Sequence, residues 1–331
     1  MTGDSDKSLF NQYSDQFLRG MSKRMRDTCS SSELKEFFQE RFAFFREAIR
    51  RNGMVRVRKY KIPRVSLTAK NQSSSVVVEI VSPDAPFIVV TVEALMRELD
   101  LKIITKLHPI IGVKLTEGRE LEKVFLPQQK LEKYDHLYLE VETEAENETL
   151  KHFETMIAGH MLAIQLVRNH HQNMLRTLES MIEMIQTITV VSSPTKNEWS
   201  KLCGWLQHDN YSVMGYIKFS LKDSDSSELI NKIDDSEMGI ISPVYIEKTS
   251  SNLLNVLSAH LRKRLHSEFP FSLDRIHFKS PVLRFENMMM LSIRIPDQKL
   301  GMLEHVFLGL LRSSSLHVKN IETPLIHQKM K

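Results

Sequence analysis

A short corner of this 331-residue chain combines groups that can form either a ligand cradle or a plain turn. The β-branched run Val76-Val77-Val78-Glu79-Ile80-Val81 breaks at Ser82-Pro83-Asp84-Ala85-Pro86, and a helix-like apolar pattern begins at Phe87. A carboxylate at Asp84 would stand beside the free backbone amides that open a helix. Pro86 fits the first turn of that helix, where its missing N–H is not needed, and Asp84 is expected to cap the amides just beyond it. Thr91, about one turn further on, completes the candidate set Asp84, Pro86, Phe87 and Thr91.

Other residue types suggest other chemistry more weakly. Among 13 histidines none stands in a recognisable metal-ligand spacing, and the adjacent His170 and His171 point to different faces of a helix. His160 and His171 fall on the apolar seam of a long helix, where protonation would cost packing and make assembly pH-sensitive. The plainer reading leaves them hydrogen-bonded or at solvent. Met288-Met289-Met290 offers sulfur to copper or to a flexible surface, but alternation along a strand favours a core role for some of the three. Asp234-Asp235 reads as a solvated loop, and Cys29 and Cys203 as two free thiols. Neither G-x-G-x-x-G nor a P-loop occurs, and the zinc-protease helix, C-x-x-C and G-x-S-x-G motifs are also missing. No catalytic, cofactor-binding or metal-ligating residue is assigned.

The elements that must position the corner follow from periodicity. Residues 1–64 read as a polar lead-in and a basic amphipathic helix. In that helix Ser30 and Glu33 have capping-box spacing, Leu34, Phe37, Phe38, Phe42, Phe45 and Ile49 mark one face, and Asn52-Gly53 stops it. Residues 65–146 give strand, helix (Phe87 to Leu99), then further strands, an order that suits a small ferredoxin-like α/β sandwich. Residues 147–190 form one long helix whose apolar stripe is too wide for a two-stranded seam, so burial against a sheet, a bundle or a second subunit is expected. Ser-Ser-Pro near 192–194 marks a boundary, and 194–331 read as a second α+β domain.

Composition narrows the class. No apolar run reaches the roughly 18 residues of a membrane span, and the start lacks a secretion signal, so a cytoplasmic protein is expected. Residues 1–70 carry 16 Lys or Arg against 8 Asp or Glu, a balance of +8 in a chain of net charge +4, leaving −4 for the rest. The basic front has no nucleic-acid motif or aromatic platform and reads as a solvated or partner-facing surface.

Taken in order, VVVEIVSPDAPFIVVTVEALMRELDLKIITKLHPII, HLYLEVET, the long helix, WLQHDNYSVMGYIKFSL and VFLGLLRSSSLHVKNIETPLI resemble the N-terminal regulatory region of the large bacterial NAD-dependent glutamate dehydrogenases. That resemblance implies an ACT-like domain followed by a sensor-like domain. It places NAD and the catalytic domain elsewhere, so no cofactor is expected in this chain. Asp84-Ala85-Pro86-Phe87 occupies the corner where amino-acid-binding ACT domains commonly have Asp-x-Pro-Gly, with Phe87 in the glycine's place. Arg284 matches an Arg that the family usually places after a His, where this chain has Leu283; FLGLLRSSS (Phe307 to Ser315) departs from the family's pattern.

The expected function is a non-catalytic regulatory or assembly module linked to glutamate metabolism, with a small-molecule effector and a homo-oligomeric or glutamate dehydrogenase partner. Two alternatives stay open: part of an active glutamate dehydrogenase chain or complex, and a ligand-free scaffold using the long helix.

Overall fold

The computed structural model describes residues 2–59, 75–128, 130–187, 193–206, 210–222, 229–265, 267 and 269–312. Ser192 of the expected boundary and the part of the resemblance beyond Arg312 lie outside the described residues. The chain divides into two compact units, Met1–Met161 and Leu162–Lys331.

The first unit opens with helices α1 (Thr2–Gly20), α2 (Lys23–Thr28) and α3 (Ser31–Arg50). The capping box holds: the Glu33 amide donates to Ser30 Oγ, and the Glu33 carboxylate accepts from the Ser30 amide. The helix stops where Asn52 and Gly53 take positive φ. Strands β1 (Met54–Lys59) and β2 (Ser75–Pro83) follow, then helix α4 (Ile88–Glu98), β3 (Lys102–Leu107), β4 (Ile110–Leu115), β5 (Leu121–Phe125) and β6 (Glu132–Glu142). These strands form one antiparallel sheet in the order β1-β2-β6-β4-β5. β3 shares the β6 edge with β4, the break between them falling at His108-Pro109.

Alternation gives this sheet two buried faces of different chemistry. Val77, Val81, Tyr134 and Tyr138 face α1 and α3 and join their aromatic core. Val76, Val78, Ile80, Leu137, Leu139 and Val141 face the other way and are buried too. On that side Glu93 of α4 pairs with Lys106 of β3 at 2.6 Å, and Ile88, Val92, Leu95 and Met96 are buried. The fold is therefore α+β and ACT-like, but the stretch read from sequence as lead-in is part of this sheet's core. α1 shows the reason: its Leu9, Tyr13 and Phe17, with Met21 just after its end, recur every four residues, and all are buried.

Helix α5 (Asn147–Thr187) contains the division between the units. The second unit adds α6 (Ser193–Trp205), β7 (Tyr211–Lys222), β8 (Leu229–Lys232), β9 (Met238–Gly239), α7 (Pro243–Thr249), α8 (Leu253–Arg264), β10 (Phe271–Lys279), β11 (Asn287–Asp297) and β12 (Gly301–Leu311). Its sheet runs β10-β11-β12-β7-β8, all antiparallel, with β9 also on β7. The strands β8 and β9 flank the loop that holds Asp234 and Asp235, and the two helices α7 and α8 follow β9. Met288 and Met290 are fully buried and Met289 half-buried, as strand alternation requires. Asp234 and Asp235 are exposed in a loop, and both cysteines are free.

Backbones approach closely in this sheet at Gly309, where the β12–β7 register shifts and an added Cβ would collide with the Ser212 carbonyl. Gly309→Ala should cost about 3 kcal/mol and lower the melting temperature of the second unit by on the order of 10 °C in scanning calorimetry.

Candidate functional site

The corner between β2 and α4 is built from both sides. The Asp84 amide donates to the Lys133 carbonyl at 2.8 Å, and the Ala85 amide to the Asp135 carboxylate at 3.3 Å. Asp135 is buried, and its other oxygen meets His108 Nε2 at 2.5 Å. The corner is thus pinned by β6 and by the residue that separates β3 from β4. Asp135 and His108 were not singled out from the sequence, although an acid directly after Tyr134 in a strand, with a His beside Pro109, is a legible sign of polar pairing.

Three expectations at the corner are revised. The helix begins at Ile88, so Pro86 lies in the preceding turn rather than in the first helical turn. The N-cap position belongs to Phe87, which forms no side-chain cap bond; the Asp84 carboxylate lies 4.0 Å from Lys133 Nζ. Thr91 is fully buried, one turn inside the helix, and its amide donates to the Phe87 carbonyl. Phe87 itself takes φ +78°, the left-handed conformation that glycine adopts freely and a bulky side chain occupies at a cost of roughly 1–2 kcal/mol. Its ring is 38% exposed, so the residue standing in the glycine's place keeps the glycine's backbone and puts an apolar surface over the corner.

The remaining candidates lie apart from it. His160 and His171 are half-buried on α5, whereas the neighbouring His170 accepts a hydrogen bond at Nδ1 from the Gly239 amide at 2.9 Å. Arg284 donates to the Leu311 carbonyl at 2.9 Å and lies 3.7 Å from Glu286, tying a turn to the end of β12; the preceding Leu283 has φ +70°.

Beneath α1 and α3 lies a second polar constellation. Glu79, mid-strand in β2, is completely buried. The antiparallel register sets Arg56 of β1 directly opposite, and its Nη2 reaches Glu79 Oε2 at 2.5 Å. Arg41 of α3 approaches Oε1 at 3.4 Å, while its guanidinium lies 4.1 Å from the Phe37 ring centroid and 4.7 Å from that of Tyr138. Arg58 stands 3.6 Å from Oε2 and also pairs with Glu40. Burial alone would push the Glu79 carboxyl up; His136, Arg41 and Arg56 outweigh it and hold the value at about 2.

His136 is enclosed by Phe17, Phe44 and Phe45, its ring stacked on Phe45 at 5.8 Å. Burial lowers its pKa more than Glu79 raises it, which keeps the imidazole neutral. The arginines therefore balance the carboxylate. Tyr13 lies 2.9 Å from His136 Nδ1, and Nε2 is 3.7 Å from Glu79, so Nδ1 accepts from the tyrosine and the Nε2–H faces the carboxylate. The clue in sequence was Glu79 itself, a charge inside a β-branched run that must find cations if both strand faces are covered.

The Glu79 carboxylate has a depressed folded-state value, so its stabilising contribution is complete above its ordinary value near 4.5 and is lost as pH falls toward about 2. Glu79→Gln should remove on the order of 3 kcal/mol of acid-sensitive stability and destabilise the first unit by about 3–5 kcal/mol at neutral pH, because Arg41 stays buried. Urea melts of both chains across pH 2.5–7 check this; parallel pH profiles would count against it.

Among the described residues no helix is long and apolar enough to cross a membrane. No curated protein matches this chain. Residues 13–157 match the family model described as glutamate dehydrogenase, ACT1 domain. The matched span begins inside α1, ends inside α5, and takes in both the pinned corner and the buried Glu79 network. Over residues 13–157, then, the chain is similar to the ACT1 domain of glutamate dehydrogenase.

Proposed function

We propose that this chain is a non-catalytic regulatory or assembly module acting on an NAD-dependent glutamate dehydrogenase in the cytoplasm, as part of a homo-oligomer or of a complex with the enzyme. The ACT1 match over residues 13–157 is the observation that carries this reading. The sequence supports it, since 331 residues contain no glycine-rich nucleotide loop for NAD. The mechanism is differential binding: a small effector prefers one arrangement of the module and shifts the population of the assembly toward it.

The corner supports an effector site of a particular kind. Its backbone is fixed by Lys133 and Asp135, which supplies the preorganisation that a small ligand needs. The exposed Phe87 ring selects for ligands with an apolar part, and Asp84 beside Lys133 selects for a polar group of either sign. Such a site is distinct from one that relies on glycine to admit a ligand against the backbone.

A thermal-shift screen of the purified chain against the common amino acids tests the reading. A true effector at about 100 times its dissociation constant should add roughly 2.7 kcal/mol, a shift of several degrees that Asp84→Ala abolishes. Turnover of glutamate with NAD by the purified chain alone would overturn the non-catalytic reading. A flat screen would remove the effector and leave assembly as the function.

A further inference from the structure

We propose that the groove between α1 and α3 binds an acidic amphipathic helix of a partner chain. The groove has a volume of about 480 Å³ and is lined by Lys7 and Phe10 of α1 and by Lys35, Phe42, Ala43 and Arg46 of α3. The two helices run in opposite directions, the start of α1 beside the end of α3. Asp6 pairs with Arg46 at 3.2 Å, Tyr13 packs on Phe42 at 5.2 Å, and Phe17 on Phe37 at 6.4 Å.

Along α3 the groove has a regular order. Lys35, Phe42 and Arg46 fall on one helical face, since seven and eleven residues are close to two and three turns. The Phe42 ring, with Phe10 edge-on at 5.8 Å, forms an apolar floor between the cationic ends. Lys35 and Arg46 are separated by eleven rises, about 16 Å along the axis. Lys7 adds a further cation on the α1 side. Lys7 and Lys35 are exposed, and among the described residues neither is in an ion pair.

Charge complementarity selects the occupant. A small anion satisfies one end of this groove and leaves its length open. A helix with carboxylates two to three turns apart and apolar side chains between them meets Lys7 and Lys35, shares Arg46 with Asp6 and covers the floor, which is the helix-in-groove mode of recognition. Lys7 and Phe10 precede the span 13–157 that matches the ACT1 domain, so the groove is completed by residues outside the shared module. The inference does not depend on the effector corner.

Fluorescence polarisation with the full chain tests it, using a labelled helical peptide of about five turns that carries Leu on one face flanked by Glu, and a control peptide with Lys for every Glu. The Glu peptide should saturate with a roughly micromolar Kd, weakened at least tenfold, by about 1.4 kcal/mol, in the exposed double variant Lys7→Glu/Lys35→Glu. The Lys peptide should show the opposite preference. Should the double variant fail to fold, Lys35→Ala carries the same test with a smaller loss.

No saturable binding, equal binding of both peptides, or undiminished binding by the variant would overturn the proposal. Displacement of the peptide by ADP at comparable concentration would overturn it in favour of a small anion. A fall in sedimentation coefficient caused by the double variant would instead give the groove to a second copy of this chain.

Discussion

A carboxylate without solvent in the middle of a sheet sets the terms for the whole first unit. Leaving Glu79 ionised inside an apolar layer would cost several kcal/mol unless cations reached the same depth. The chain supplies them from two directions, Arg56 through strand pairing and Arg41 through the helix laid over the sheet. Neither works without the other element in place. The register of β1 on β2 must bring Arg56 opposite Glu79, and α3 must lie close enough for Arg41 to stack on Phe37 and Tyr138 while reaching Oε1. A single buried charge thereby specifies both the edge strand and the helical cover, a specificity that aliphatic packing alone does not give.

The second unit meets a similar constraint with tighter geometry. Glu304 of β12 is also fully buried, bonded by Arg264 at 2.6 Å, by Arg294 at 2.7 Å and by the Ser292 hydroxyl. Both arginines then spend their remaining donors on carbonyls of the segment that leaves α8, those of Arg264, Ser267 and Phe269. There the ion cluster also terminates a helix. In the first unit Arg41 donates from Nη1 to the Phe37 carbonyl and to Glu40 while its guanidinium lies over the Phe37 and Tyr138 rings, so the cluster organises a core instead of a chain end.

Residue patterns differ in how much of this they disclose. The capping box of Ser30 and Glu33, the Asn52-Gly53 stop and the strand alternation of Met288 to Met290 are local signals, and local chemistry decides them. The place of α1 was harder to read. Its Leu9-Tyr13-Phe17 stripe is interleaved with Ser, Asp and Gln, and only packing on the sheet shows that the stripe is core. β1 was hidden for a related reason: in Met54-Val55-Arg56-Val57-Arg58-Lys59 the arginines look solvent-facing until Glu79 is known to lie beneath them. At the corner the turn was legible and its supports were not, since Lys133 and Asp135 are some fifty residues away in sequence and reach it only through the β2–β6 register.

That register makes β6 the common support of the unit's polar sites. Asp135 points to the corner, holding the Ala85 amide and His108, while the next residue, His136, points to the opposite face and meets Tyr13 of α1. One peptide bond separates the two. The contacts around His136 are uneven, firm to Tyr13 at 2.9 Å and loose to Glu79 at 3.7 Å, so α1 holds the imidazole more closely than the ion pair of Glu79 with Arg56 does. Phe87 holds a left-handed conformation at that corner, strain that persists because the bonds of Asp84 to the Lys133 carbonyl and of Ala85 to Asp135 over-determine the turn before it.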